Sequence, residues 1–486
     1  MKNLIFLIGI LLAGCSSFPD QRIKTACNPV NLKYAIINEE GNIFRDAYFP
    51  TVALHDGYYY MTVHPNKECY KSDDLINWIP ADSSSYALFK DKEVSINDSH
   101  IRTDNANNGW ETPGDYNEWL QASTTIDRMT MLRHDGKYYL LYSTPGMSLK
   151  SANCAVYTSE NSNGPFILSR NNPVAYKPEG FTTGAGGGSI FQDKYGNYWF
   201  AGTTATTSHN FINRRICIYP LFFDSDDEMY VCTGWGDYPF IIPEKKIENP
   251  YVLITDWMLL SYGKYTEASS ELRNHPACCA ADEDICTYWS AESNKKDEYL
   301  LMDLENECEV FSIQINFSDE ELTNKEDAAY RYYIQISSDK KKWETIINHT
   351  EINSNPHDYI QLDSPVKGRY VRVVNSFCPA ERFSISGLRI FGESNVIKPL
   401  PAEIRYIERD SADCRKATIK WNPSKGADGY ILRYGTSPDK LYLSHIIYND
   451  NELTIRSLNA NLPYYFTVDA FNEGGIAEGL DVTSIE

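Results

Sequence analysis

Apolar and polar residues alternate in short runs along most of this chain, the period of half-buried strands rather than of helices. In the first half one phrase recurs: an apolar strand, a turn rich in Asp and Gly, then an aromatic-rich strand. It runs from Val52 to Met61 around Asp56-Gly57 and returns from Met131 to Leu140 around Asp135-Gly136. A third copy runs from Ser189 to Trp199 around Gly196, and a weaker one from Phe222 through Asp226-Asp227 to Tyr230. Each predicts a β-hairpin, because such turn residues supply the positive φ that a tight two-strand turn needs. Short strands are also predicted to end at Ser72–Trp78 and Gly164–Phe166, and no amphipathic helix interrupts the series. Imperfect hairpin repeats spaced by several tens of residues predict a β-propeller over residues 28–250.

The pattern changes after Tyr251. Short alternating strands at Leu301–Leu304, Tyr332–Ser337, Arg369–Val373 and Ile385–Gly392 predict a β-sandwich over 251–395. Beyond Pro399-Leu400-Pro401, a final block over 396–486 carries Trp421, Tyr430 and Tyr434, then Leu458, then Tyr464, Phe466, Val468 and Ala470 alternating toward one face. That is the pattern of a smaller sandwich with a buried Trp and a tyrosine corner. The fold class is all-β, and 486 residues are length for roughly three domains.

The N-terminus reads differently. Met1-Lys2-Asn3 precedes an apolar run, Leu4 to Leu12, too short to span a bilayer, and then Leu12-Ala13-Gly14-Cys15. This resembles a bacterial lipobox. It implies a signal peptide over 1–14, lipidation of Cys15, a tether over 15–27, and a membrane-anchored protein of the cell envelope, at the outer membrane. Of the 12 cysteines, those after Cys15 are odd in number, and the cluster of Cys278, Cys279 and Cys286 lacks zinc-site spacing, so they are read as packing residues. Lys and Arg total 45 against 66 Asp and Glu, a formal charge of −21, which repels nucleic acid. The 13% aromatic content, dominated by Tyr, favours strands and suits surfaces on which sugars stack.

Three resemblances rest on these residues. Leu458 six positions before Tyr464 makes the last block similar to a fibronectin type III domain. The block from Gly263 through Ala281–Trp289 to Ile385–Gly392 resembles the discoidin (factor V/VIII C-terminal type) family, which includes carbohydrate-binding modules. Gly109-Trp110-Glu111-Thr112-Pro113-Gly114-Asp115-Tyr116-Asn117-Glu118 and Gly184–Ser189 make the first block resemble glycoside hydrolase family 43. Together these imply an oligo- or polysaccharide partner and no required cofactor.

The resemblance also implies an inverting site, with one carboxyl as acid and another as base. Where the family has its base in an Asp-Pro pair, this chain has Phe49-Pro50, and Asp46 three residues upstream is either a substitute base or a turn-capping residue. Where the family has its Glu-Gly acid, nine residues before the turn glycine, Asp127-Arg128 stands here. The blade carrying a third, pKa-tuning acid finds no matching hairpin between Trp78 and Trp110, so fewer complete blades are expected. A histidine usual between the glycines is replaced by Gly187. These departures point to dismantled hydrolytic machinery. Trp110, Asp115, Tyr116, Glu118 and Trp119 either bind sugar or plug the propeller face. Arg214 and Arg215 either clamp a uronate or pair with carboxylates. Asp282, Asp284 and Thr287 resemble an oxygen-rich loop for a structural calcium, although the family's closing-strand carboxylate is Gly387 here. Three functions follow: a hydrolase with altered acid and base, a non-catalytic surface glycan-binding protein, or an adhesion scaffold.

Overall fold

The computed structural model describes residues 23–39, 42–65, 67–89, 127–143, 150, 152–206, 213–234, 236–318, 322, 328–459 and 462–486. The described elements are strands with a few short 3-10 turns. In the N-terminal part, three antiparallel sheets each take their strands in chain order. The first is Tyr48–His55, Tyr58–His64, Glu68–Ser72 and Ile79–Pro80. The second is Asp127–His134, Lys137–Ser143, Asn153–Ser159 and Ile167–Leu168, with Ala175–Tyr176 also paired to the third of these strands. The third is Thr183–Gln192, Tyr198–Ala205, Arg214–Phe223 and Met229–Val231. The expected hairpins are present for the expected reason: Asp56, Gly57, Asp135 and Gly136 all have positive φ, between 45° and 89°. Residues after Trp78 form a 3-10 turn at Ser83–Phe89, and the rest of the stretch to Trp110 lies outside the described residues.

Lys24–Ala26 pairs with Phe240–Ile242, so the two ends of this part are joined by a two-stranded sheet. The middle domain is a β-sandwich built on two long strands, Tyr299–Phe317 and His357–Phe377. Their register shifts between Asp303 and Cys308 and again between Val310 and Ser312, so that one strand pair can serve both layers. Trp289, Ile313, Ile315, Tyr332, Ile334 and Phe383 fill its core. In the C-terminal part, a three-stranded sheet (Ile404–Arg409, Ala417–Trp421, Glu452–Ile455) packs on a second sheet centred on Gly429–Gly435 and Tyr464–Asn472. Trp421 is fully buried, and the Tyr464 hydroxyl accepts the Asn459 amide at 2.9 Å. The eleven described cysteines form no disulfide, and six of them are buried.

The three parts share one interface. Cys27, Tyr238, Trp257, Tyr359, Phe391, Ile431, Ile446 and Phe471 form a single apolar cluster drawn from all of them. Beside it lies a buried polar layer. The Arg389 guanidinium donates to Glu283 Oε1 and Oε2 at 2.8 and 2.9 Å, to the Asp237 carbonyl at 2.6 Å and to Gln314 Oε1 at 2.9 Å. Asn28 clamps Ile218 through both ends of its amide, and its own carbonyl accepts from Gln314. Arg215 Nε donates to His357 Nε2 at 2.8 Å, and the opposite ring nitrogen donates to Asn316 Oδ1. His357 is therefore neutral: burial, then Arg215 and Arg45, push its pKa well below 6.5.

Two outcomes follow from this layer. Arg389→Met leaves the Glu283 carboxylate buried without its counter-charge and costs about 3–5 kcal/mol, read as a lower urea midpoint, with partial recovery in the Arg389→Met/Glu283→Gln double variant. For His357, the unfolded imidazole takes up a proton below about pH 6.5 while the folded one does not. Its contribution to stability is thus present above that pH and lost as pH falls, and His357→Gln flattens the decline in thermal midpoint between about pH 7 and pH 5.

Candidate functional site

The strand starts of the three N-terminal sheets converge. Asp127 opens its strand opposite Ser143, and the Ser143 hydroxyl accepts the Gly187 amide at 2.7 Å. Gly186 pairs with Thr203, whose hydroxyl accepts the Phe49 amide at 3.2 Å. The positions 49, 127 and 187, picked from sequence, are therefore linked by a short hydrogen-bonded path. The register slips between Tyr48 and Thr51, and Phe49 sits at φ 52°, so the backbone bulges at the position where a base was expected. The half-buried Phe49 ring packs on Tyr48 at 5.3 Å and edge-on to His64 at 5.9 Å. The result is an aromatic wall with no proton acceptor at residue 49.

Asp46 does not replace it. Arg214 donates to Asp46 through its backbone amide, Nε and Nη2 at 2.9, 3.0 and 2.6 Å, and the guanidinium lies 3.7 Å over the Tyr48 ring. Both Asp46 oxygens are engaged and the pair is buried, so neither the substitute base nor the substrate-clamping arginine survives: each neutralises the other. Arg215 is likewise directed to His357. The Asp127 side chain and all of Trp110, Asp115, Tyr116, Glu118, Trp119 and Cys15 lie outside the described residues. The glycine-rich strand has a packing cause. A Cβ on Gly188 would stand 2.1 Å from the Phe200 ring, and one on Gly202 2.4 Å from it.

In the middle domain, the calcium loop is closed upon itself. Asp282 accepts the Asp284 amide at 3.0 Å and the Thr287 hydroxyl at 2.6 Å, and Asp284 accepts the Cys286 amide at 2.8 Å. Burial raises the Asp282 pKa to about 6. Glu283, at φ 60°, commits its carboxylate to Arg389 instead. Gly387 is explained by docking: a Cβ there would stand 2.9 Å from the Phe181 ring of the N-terminal part. Asp282, Asp284 and Thr287 are thus tied together by hydrogen bonds within their own loop. Among the described residues, the group with three ligand atoms within 4.8 Å is instead His134, Asp135 and Asp227, at two hairpin turns.

Another site on this domain was invisible in the sequence. Leu272 to His275 make a tight turn pinned to Ser290 by Leu272 N–H donating to Ser290 O and Ser290 N–H donating to His275 O. Trp289–Ser290 pairs in turn with the strand Ser384–Glu393. The turn, this pair and Arg382 enclose a pocket of about 360 Å³. Its floor is the Ser384 hydroxyl donating to Ser290 at 2.9 Å. Its walls are Arg273, Asn274, Arg382 and a His275–Tyr288 stack with ring centroids 3.9 Å apart. Hydroxyl, amide and guanidinium groups around an aromatic pair suit a small polyhydroxylated ligand. Arg273 and Arg382 are far apart in the chain and follow no spacing rule; the one local signal is the polar run Arg273-Asn274-His275.

Because the closing strand offers Gly387 in place of a further carboxylate, calcium at millimolar concentration is expected to leave the thermal midpoint within about 1 °C of the calcium-free value. A rise of several degrees that Asp284→Asn abolishes would restore the calcium loop.

Residues 265–376 match the F5/8 type C domain family. No curated protein matches the chain in sequence. Among solved structures, a glycoside hydrolase is similar at 15% identity and a TM-score of 0.39, covering 75% of this chain and 96% of its own. The family 32 CBM from C. perfringens NanJ in complex with galactose is similar at 19% identity and TM-score 0.25, covering 28% and 98%. Chitosan-binding module 2 in complex with chitotriose, from a chitosanase/glucanase of Paenibacillus sp. IK-5, gives 22% identity and TM-score 0.24 over 27% and 99%. Within a chain that is nearly all β, the middle sandwich is an F5/8 type C domain.

Proposed function

We propose that this protein binds glycans at the cell envelope and does not hydrolyse them. The carrying observation is the pocket of the F5/8 type C domain, where polar, cationic and aromatic side chains converge on a hydroxyl floor. In this reading the N-terminal part is a glycoside hydrolase family 43-like propeller and the C-terminal part a fibronectin type III domain. Lipidated Cys15 would tether the chain at the outer membrane. What supports the propeller is the succession of antiparallel sheets of four or five strands in chain order, linked near their first strands. What supports the fibronectin assignment is buried Trp421 and the Tyr464 hydroxyl on the Asn459 amide.

Loss of hydrolysis follows from the chemistry at the convergent strand ends. Inverting attack needs a base to take the water proton, and neither the Phe49 ring nor a carboxylate neutralised by Arg214 supplies it. General-base help is worth about 10²–10⁴-fold in rate. Sugar recognition uses other groups and tolerates that loss.

The test is a glycan array probed with the Cys15→Ala chain, beside hydrolysis assays on arabino-, xylo- and galacto-configured substrates. Binding without turnover is expected of the wild type, assayed beside a Phe49→Asp variant that returns a carboxylate to that position. Robust wild-type turnover that falls on Asp127→Ala would establish the hydrolase instead. Absence of any glycan binding would leave the scaffold.

A further inference from the structure

We infer that His134, Asp135 and Asp227 bind a divalent transition-metal ion of the zinc class, held between two hairpin turns of the N-terminal part. The site lies apart from the sugar-binding pocket and does not rest on that reading.

The first observation is the donor set. Asp135 sits in the turn between Asp127–His134 and Lys137–Ser143, and Asp227 in the turn between Arg214–Phe223 and Met229–Val231. With His134 they bring an imidazole nitrogen and two carboxylate oxygens within 4.8 Å of one another. His134 Nε2 stands 3.8 Å from Asp135 Oδ2. Ligand atoms about 2.0–2.2 Å from a tetrahedral ion stand roughly 3.4 Å apart, and both aspartates are exposed, so side-chain rotation closes the difference. An imidazole beside carboxylates suits zinc and its transition-metal neighbours, whereas calcium and magnesium are held by oxygen ligands.

The second observation is independent of the aspartates: the imidazole is held from behind. His134 Nδ1 is 3.0 Å from the Tyr198 hydroxyl, and the ring stacks on Phe223 with centroids 3.8 Å apart. When Nδ1–H donates to Tyr198, Nε2 keeps its lone pair toward Asp135, the arrangement that a metal-ligating histidine needs. The Tyr139 hydroxyl donates to the Asp227 carbonyl at 2.7 Å and so fixes the second turn against the first. The third observation is charge. Asp224, Asp226 and Glu228 of the second turn are answered by Lys440, whereas neither Asp135 nor Asp227 has a Lys or Arg partner among the described residues. Lys137 lies 5.8 Å over the Tyr139 ring and pairs with neither. Burial, then the Asp227 and Asp135 carboxylates, push the Tyr139 phenol above its ordinary pKa. A cation between the two aspartates relieves their mutual repulsion.

The experiment uses the full chain with Cys15→Ala, freed of metal by a chelator and titrated calorimetrically with zinc chloride, with magnesium and calcium chloride as competitors. A single zinc ion per chain is expected to bind in the micromolar range, undisturbed by either competitor. Asp227→Asn and Asp135→Asn keep the positive φ of their turns, which asparagine tolerates as aspartate does. Each should weaken zinc binding at least about tenfold with the metal-free thermal midpoint unchanged. Tyr198→Phe leaves all three ligands in place and should weaken it about tenfold by freeing the imidazole. Cobalt loading separates the site from the exposed thiols of Cys278 and Cys414. A thiolate-to-cobalt charge-transfer band on the first equivalent, zinc affinity that survives Asp227→Asn, or no zinc binding at all would each overturn the inference. Equal displacement by calcium or magnesium would overturn the class of metal. None of these outcomes bears on glycan binding, which the array reads separately.

Discussion

The organisation of this protein hangs on one buried cation. The Arg389 guanidinium is almost completely removed from water, where an uncompensated charge is untenable. It is held by a two-oxygen pair with Glu283, by the Asp237 carbonyl and by Gln314, and it lies 4.3 Å over the Phe181 ring. Glu283 and Gln314 belong to the F5/8 type C domain, while Asp237 and Phe181 belong to the N-terminal part. Glu283 thus neutralises the charge within its own domain, and docking adds the Asp237 carbonyl and the Phe181 ring. The same contact dictates local sequence: Gly387 is small because Phe181 stands against it, and Glu283 turns away from its loop because Arg389 needs it.

Docking reaches the N-terminal part, where His357 of the middle domain accepts from Arg215 while Arg214 is committed to Asp46. Within the middle domain, Glu283 turns to Arg389, and Asp282 and Asp284 bond within their own loop. Among the described residues, the convergent strand ends of the N-terminal part carry the Phe49 ring and the buried Asp46–Arg214 pair, whereas the 272–275 turn of the middle domain presents an exposed arginine.

The C-terminal part is fastened by a complementary device. Lys440 faces Asp224, Asp226 and Glu228 at 2.9, 2.6 and 3.2 Å, and these carboxylates raise its pKa. Tyr442 stacks on Tyr230 with centroids 3.9 Å apart, and Asn459 donates to the Arg170 and Asn172 carbonyls. In an acidic chain, one lysine that gathers three carboxylates relieves their repulsion as well as fastening the interface.

Much of the architecture was legible in the amino-acid sequence because it is local. Asp56-Gly57 and Asp135-Gly136 adopt the left-handed turn that their chemistry favours, and strict alternation places Tyr464, Phe466, Val468 and Ala470 together in one core. That residue 49 offers no proton acceptor was legible for the same reason, since a phenyl ring lacks one in any fold. Charge pairing is different. Asp46 and Arg214 meet across 168 positions, Arg389 and Glu283 across 106, and Arg273 shares a pocket with Arg382 only because two strands of one sandwich bring their ends together. An ion pair depends on through-space distance and on desolvation, and neither has a period along the chain. So strands and turns are written in sequence spacing, whereas tertiary packing alone decided which charges meet and neutralise one another.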